Sequence, residues 1–146
     1  MADERDQEQY HALAFYSLSH GSASFIHQHV VDAYTAQHAS DETKPIAVAF
    51  ALIGLYLHLE RGCSGREVQR AHTKLARRRK SWPKFDKPEH LGGISVSDVM
   101  SAPPGRPRDE AIESWCAAVW AAWQGSRDLV EALVCAELDG GKASGR

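Results

Sequence analysis

The sequence predicts an all-α fold, in which a single helical domain surrounds one apolar helix. No charged residue occurs from Pro45 to Leu59, and the apolar side chains of this segment point in every direction around a helix axis. Other helices must therefore cover it. The flanking segments repeat apolar residues at helical spacing and are bounded by capping residues and glycines. We predict a bundle of about five helices around residues 45–60, with a long loop at 81–108.

Two helices are predicted before the apolar one. Apolar residues share one face over 3–19, and Gly21 follows as a natural stop. Ser22 and Ser24 are candidate N-caps for a second helix at 24–38.

The boundaries of the apolar helix and of the next helix are marked by specific residues. Pro45 suits the first helical turn, and Gly62 suits the end of the same helix. Ser64 and Glu67 have the spacing of a capping box, in which each side chain bonds the backbone of the other residue. We therefore predict a fourth helix at 65–79.

The segment 81–108 cannot form one helix, because it contains every proline except Pro45. Its apolar residues predict a loop packed on the domain, and Ser95 to Asp98 can cap a short helical turn. A last helix is predicted at 109–138, because its apolar residues stay in one helical phase across Gly125.

The chain is predicted to form one domain and to act away from membranes. Residues 1–139 suit a single domain, and the glycine-rich tail 140–146 is expected to be disordered. The apolar helix spans roughly 22 Å, less than the roughly 30 Å of a bilayer core. The N-terminus lacks an apolar signal segment, and the three cysteines form no C-x-x-C pair. These features predict a cytoplasmic protein with reduced thiols.

The second helix carries the richest set of polar groups. On a helical wheel, His27, Tyr34 and His38 share one face, with Gln37 at its edge, whereas His29 and Asp32 lie on roughly the opposite side. We expect the face of Tyr34 and His38 to be buried against the apolar helix and hydrogen-bonded across helices. It is either a set of hydrogen-bonded core residues or a pocket for a small ligand or metal ion. The candidate pocket residues are His27, Tyr34, Gln37, His38 and His58.

Spacing restricts the metal alternative. His27 and His38 lie about 16 Å apart along one helix, so they cannot bind one ion whose bonds to nitrogen are about 2 Å long. A divalent metal would need single ligands from several helices. The candidates are His11, or His20 in its place, together with His38 and His58.

A cluster of cations on the fourth helix is the second candidate. Nine Lys and Arg residues occur between Arg66 and Lys87, against two acidic residues. They form either a solvated face or a binding surface for an acidic partner or nucleic acid, although the sequence pI of 6.4 argues against nucleic acid. The candidate anion-binding residues are Arg66, Arg70, Lys74, Arg77 and Arg78.

Motifs of established chemistry are missing from the sequence. It contains no G-x-S-x-G, no P-loop and no glycine-rich dinucleotide motif, so whether the protein is an enzyme stays open. A structural or homo-oligomerising domain is the third alternative. The tryptophans Trp115, Trp120 and Trp123 have the in-phase spacing of core residues.

Four strings resemble an uncharacterised bacterial family of small helical proteins. They are V-V-D-A-Y-T-A-Q-H (30–38), L-I-G-L-Y-L-H-L-E-R-G (52–62), I-S-V-S-D-V-M-S-A (94–102) and W-C-A-A-V-W-A-A-W (115–123). The resemblance implies no established activity, substrate or cofactor. Relatives often carry further histidines at places that correspond here to Ala51 and to residues 124–127, so a family metal site that used them is lost in this chain.

Overall fold

The structure is a computed structural model that describes residues 2–19, 26–78 and 81–138. The described residues form seven α-helices and one short 3-10 helix, packed in one domain, and they contain no strand. This confirms the all-α prediction. The helices are α1 (Ala2–Ser19), α2 (His27–Gln37), α3 (Pro45–Arg61), α4 (Gly65–Arg78), α5 (Val96–Ser101), α6 (Arg106–Ala122) and α7 (Arg127–Glu137).

Helix α3 is the central element, as predicted. Pro45 occupies its first turn, and nearly every residue from Val48 to Leu57 is buried. Gly62 ends the helix in the left-handed conformation, with φ of 70°, which glycine adopts without a steric penalty. No helix within the described ranges is long and apolar enough to cross a membrane.

The predicted capping box opens α4. The Ser64 amide donates to Glu67 Oε1 at 2.8 Å, and the Glu67 amide donates to Ser64 Oγ at 3.2 Å. Helix α2 begins at His27, and its predicted caps Ser22 and Ser24 lie outside the described residues, as does the tail 140–146.

The segment after α4 packs against the domain as predicted. Phe85 is buried, and the Trp82 ring meets the Phe50 ring edge-on at 5.3 Å between centroids. Ser95 and Asp98 form a second capping box, which opens α5. The loop is shorter than expected, because α6 begins at Arg106, three residues before the predicted start.

The prediction of one long C-terminal helix is wrong. Helix α6 ends at Ala122, and the 3-10 helix Gln124–Ser126 separates it from α7. Three residues of 3-10 helix turn the chain by about 120° each instead of 100°, so the break moves the apolar face by only about 60°. Trp123 and Val130, on either side of the break, therefore both remain in the core.

Candidate functional site

The face of α2 that carries Tyr34 and His38 packs against α1. The Tyr34 ring stacks on Tyr10 at 3.9 Å and on His38 at 4.1 Å between centroids. His38 Nε2 lies 3.0 Å from Asp6 Oδ2. The predicted hydrogen bond of His38 to another helix is therefore present, but the predicted burial of this face against α3 is wrong. Helix α2 has neighbours on several sides, and a helical wheel cannot tell which neighbour each face meets.

Two further predicted residues hold the bundle together. His27 Nδ1 is hydrogen-bonded to Ser17 Oγ at 2.9 Å, and burial lowers its pKa. The Gln37 amide donates to the carbonyls of Leu91 and Ile94 and accepts from Trp115 Nε1 at 2.9 Å. Gln37 thus ties α2 to the loop and to α6, and both its amide nitrogen and its amide oxygen are hydrogen-bonded.

The face of α2 that meets α3 carries His29 and Asp32. Both are buried, with exposures of 2% and 3%. The His29 ring stacks on the ring of His58, with centroids 3.6 Å apart and planes 17° from parallel. On a helical wheel, these two residues lie on the side opposite the predicted pocket residues, and the prediction missed them. His29 and Asp32 are about one helical turn apart, as are Gly54 and His58 on α3, and this common spacing is the signal that the sequence contains.

His58 forms an ion pair with Glu113 of α6. Its Nε2 lies 2.7 Å from Glu113 Oε2, and its Nδ1 lies 3.2 Å from the Cys63 carbonyl oxygen. Burial opposes protonation of His58, but the hydrogen bond and charge of Glu113 outweigh it and raise the His58 pKa. The same hydrogen bond lowers the pKa of Glu113. Both shifts favour an imidazolium paired with a carboxylate, the state in which both ring nitrogens of His58 donate.

His29 beneath this pair is a neutral imidazole. Burial and repulsion by His58 lower its pKa to about 4, against the opposing attraction of Glu113. Its Nδ1 is buried and has no hydrogen-bond partner in the described part of the chain. The thiol of Cys116 lies 3.7 Å from the His29 carbonyl oxygen.

Asp32 is the second buried polar residue with an unsatisfied atom. Its Oδ1 accepts a hydrogen bond from Gln28 Nε2 at 3.1 Å, whereas Oδ2 has no partner among residues 2–19, 26–78 and 81–138. Burial raises the Asp32 pKa well above its ordinary value. The carboxyl group lies against the backbone of Gly54, in the place that a Cβ atom would take.

An open cavity of about 320 Å³ lies over the histidine stack, and we refer to it as the histidine pocket. The start of α4 closes one side of it, since Cys63, Ser64 and Glu67 line it together with His29, His58 and Glu113. Of the five predicted pocket residues, only His58 lines this cavity. Its base is polar and its mouth faces solvent, so a small molecule can reach the ion pair from outside.

The structure does not bring the predicted metal ligands together. In the described ranges, no group of three or more His, Cys, Asp and Glu side chains is placed to hold a metal ion. His38 is paired with Asp6 and His58 with Glu113, while His11 is exposed on α1 and His20 lies outside the described residues.

The predicted anion-binding residues all lie on the exposed side of α4. Arg66, Arg70, Lys74, Arg77 and Arg78 are solvent-exposed, and Arg78 lies 3.7 Å from Glu137 of α7. Val68 and Leu75 of the same helix are fully buried. Helix α4 is therefore strongly amphipathic, with one core face and one cationic face.

The fold and the site define a small all-α protein with a histidine–carboxylate cluster between three helices. The family of unknown function DUF5946 matches residues 6–124, and the chain belongs to this family. This confirms the predicted resemblance. No curated protein and no solved structure matches the chain. Neither the family nor these comparisons establish a cofactor, so a functional proposal depends on the geometry of the site.

Proposed function

We propose that this protein binds a small cationic ligand in the histidine pocket. The observation that carries the proposal is the pair of His58 and Glu113, which lines an open pocket and stacks through His58 on the neutral ring of His29. The buried Nδ1 of His29 has no partner within the described residues, and a buried polar group without a hydrogen bond costs about 1–3 kcal/mol. Such a group requires an explanation, for example a bound water or ion.

The charges around the pocket favour a cation. One imidazolium, His58, faces two carboxylates, Glu113 and Glu67, so the lining carries a net negative charge. Only Oε2 of Glu113 is engaged by His58, and the Glu113 side chain is 51% exposed. Its other oxygen has no hydrogen bond among the described residues, so a ligand in the pocket could bind it. An organic amine and a divalent metal ion are both cations that a carboxylate oxygen can bind.

A metal ion would require a local rearrangement. The bond from His58 Nδ1 to the Cys63 carbonyl is the type of bond that orients metal-binding histidines and leaves Nε2 for the ion. Two tetrahedral ligands with bonds of about 2.1 Å lie about 3.4 Å apart. His58 Nε2 and Glu113 Oε2 are 2.7 Å apart, so they would have to separate. An amine can bind without this movement, and we therefore favour it.

Binding is favoured over catalysis. A general base needs a free lone pair within hydrogen-bond distance of its substrate, whereas both nitrogens of His58 are engaged by Glu113 and Cys63. His29 has a free nitrogen, but its pKa of about 4 makes it a weak base at neutral pH.

We also propose a cytoplasmic location. Cys63, Cys116 and Cys135 are all free thiols, and free thiols are typical of reducing compartments. Fractionation of cells that produce the protein tests this, and recovery outside the cytoplasm would contradict it.

The test of binding compares amines with metal ions on the purified protein. Native mass spectrometry and elemental analysis first identify any ligand that copurifies. Titrations with small primary amines and with Zn²⁺ are then followed by NMR signals of His29 and His58. We expect an amine to shift both signals, and we expect Glu113→Gln to weaken binding about tenfold, since a charge-assisted hydrogen bond is lost.

The matched control is Glu110→Gln. Glu110 lies on the same helix, is exposed and pairs with Arg106, so its substitution should leave binding unchanged. If only Zn²⁺ shifts the signals, the ligand is a metal ion and not an amine. If neither class shifts the pocket signals, or if both variants bind like the wild type, the proposed function is wrong.

A further inference from the structure

A second cavity lies along the cationic face of α4 and shares Cys63 and Glu67 with the histidine pocket. We call it the basic groove; its volume is about 310 Å³. Apolar atoms of Leu57, Ala71 and Leu138 line it, together with three cations. The cations are Arg61 at the end of α3 and Arg70 and Lys74 on α4.

Two of the three cations, Arg70 and Lys74, are not neutralised by the described part of the chain. Arg70 and Lys74 are four residues apart on one helix face, where like charges repel, and neither has a hydrogen bond or ion pair among the described residues. Glu67 is the carboxylate among the residues that line the groove, so three cations face one anion there. Other arginines are paired in this structure, for example Arg127 with Glu60 at 2.7 Å.

Arg61 is held at the edge of the groove by contacts outside it. Its guanidinium lies over the Tyr56 ring, 5.5 Å from the centroid, and Nη2 lies 4.0 Å from Cys135 Sγ. An aromatic ring holds a guanidinium in place, and the guanidinium is the side-chain group whose shape matches a planar anion. The groove thus offers a positioned guanidinium and two unpaired cations beside apolar side chains.

We propose that the basic groove binds a small amphipathic anion, with a carboxylate or phosphate head and a short apolar chain. The head would contact Arg61, Arg70 and Lys74, and the chain would cover Leu57, Ala71 and Leu138. The volume is at the lower end of the roughly 300–1,000 Å³ of ligand pockets, which suits a small molecule and not a folded partner. Removal of the apolar chain from water adds to the charge-assisted hydrogen bonds.

The experiment measures binding of octanoate and octyl phosphate to the full chain by calorimetry at low and moderate salt. We expect at least one of them to bind, with an affinity that falls as salt rises. Acetate lacks the apolar chain and octanol lacks the charge, so each should bind at least about tenfold more weakly than octanoate or octyl phosphate. The relative affinities of octanoate and octyl phosphate show which head the groove prefers.

Variants locate the site. Arg70→Gln combined with Lys74→Gln should weaken binding about tenfold or more and leave the melting temperature unchanged, because both side chains are exposed. The single Lys74→Glu variant serves if the double variant does not fold. Arg106→Gln is the control, since Arg106 is an exposed arginine on α6.

Several results would overturn the proposal. The proposal is wrong if neither octanoate nor octyl phosphate binds, or if octanol or acetate binds as tightly as they do. It is also wrong if the variants at Arg70 and Lys74 bind the probes as tightly as the wild type. A large change of octanoate affinity in Glu113→Gln, in either direction, would also overturn it, because the anion would then occupy the histidine pocket. Amine binding is measured separately, so failure of one proposal is distinguishable from failure of the other.

Discussion

The carboxyl group of Asp32 lies where a Cβ atom of residue 54 would stand, so a side chain at Gly54 and the present position of Asp32 exclude each other. Glycine inside a helix costs roughly 0.5–1 kcal/mol relative to alanine. At Gly54 this cost is offset, because the missing side chain lets α2 and α3 approach and places His29 on His58. The glycine in the most apolar helix is therefore a requirement of the site.

Gly54→Ala should destabilise the protein by about 1–3 kcal/mol, although alanine favours helix. The added methyl group overlaps Asp32 Oδ2 and Cγ, and overpacking of a core has a cost of this size. Denaturant unfolding measures the change in the free energy of unfolding.

Gly125→Ala is the control for this prediction. A Cβ at Gly125 meets nothing within 4 Å, so the change should be neutral or stabilising by up to about 1 kcal/mol. Adding Asp32→Ala to Gly54→Ala should remove most of the clash. A Gly54→Ala protein as stable as the wild type would show that the two helices do not approach as described.

Asp32→Asn should change the dependence of stability on pH. The folded state raises the Asp32 pKa above its ordinary value of 3.8. The folded protein therefore holds the proton of Asp32 more tightly than the unfolded chain does. The stability that protonated Asp32 contributes is complete below the pKa of the unfolded state, and it is lost as pH rises toward the pKa of the folded state. Asparagine does not titrate, so the stability of the variant relative to the wild type should increase as pH rises above about 4.

Chemical denaturation at several pH values between 4 and 8 measures this difference. Asp86→Asn makes the same substitution at an exposed position of the loop, and its stability relative to the wild type should vary little with pH. A flat difference for Asp32→Asn would mean that the carboxyl group is not buried.

Leu52→Ala should destabilise the protein by about 2–5 kcal/mol, because Leu52 is fully buried in the middle of α3 and leaves a cavity. Leu129→Ala on α7 is the comparison, since Leu129 is 41% exposed and should lose less than about 1 kcal/mol. Equal losses in denaturant melts would contradict the central position of α3.

His38→Gln should keep the fold and cost about 1 kcal/mol or less. Glutamine can still donate to Asp6, and His38 does not line the histidine pocket. Amine binding should therefore be unchanged in this variant. Loss of binding at an unchanged melting temperature would move the site to the face that packs on α1.

Local rules predicted most of the fold. Pro45, Gly62 and the pair of Ser64 and Glu67 mark helix ends by hydrogen bonds and backbone geometry that involve only neighbouring residues, so the sequence alone reveals them. The break at Gly125 escaped prediction because a short 3-10 helix barely moves the apolar phase.

The site was harder to predict because it depends on three helices. His58 was identified as a polar residue in an apolar segment, but His29, Asp32 and Glu113 acquire their roles only when α2 and α6 meet α3. Periodicity shows which residues share a face and says nothing about the neighbour of that face. Burial and pairing, which set the pKa values of both histidines, follow from that neighbour.

A pH titration followed by the NMR signals of the histidine rings tests whether a neutral His29 is stacked on a charged His58, as the site requires. We expect His29 to stay unprotonated until the pH approaches about 4, while His58 should keep its proton above the ordinary histidine pKa of 6.5. If both rings titrate together near 6.5, the stack and the ion pair with Glu113 do not form in solution, and the histidine pocket is not a site.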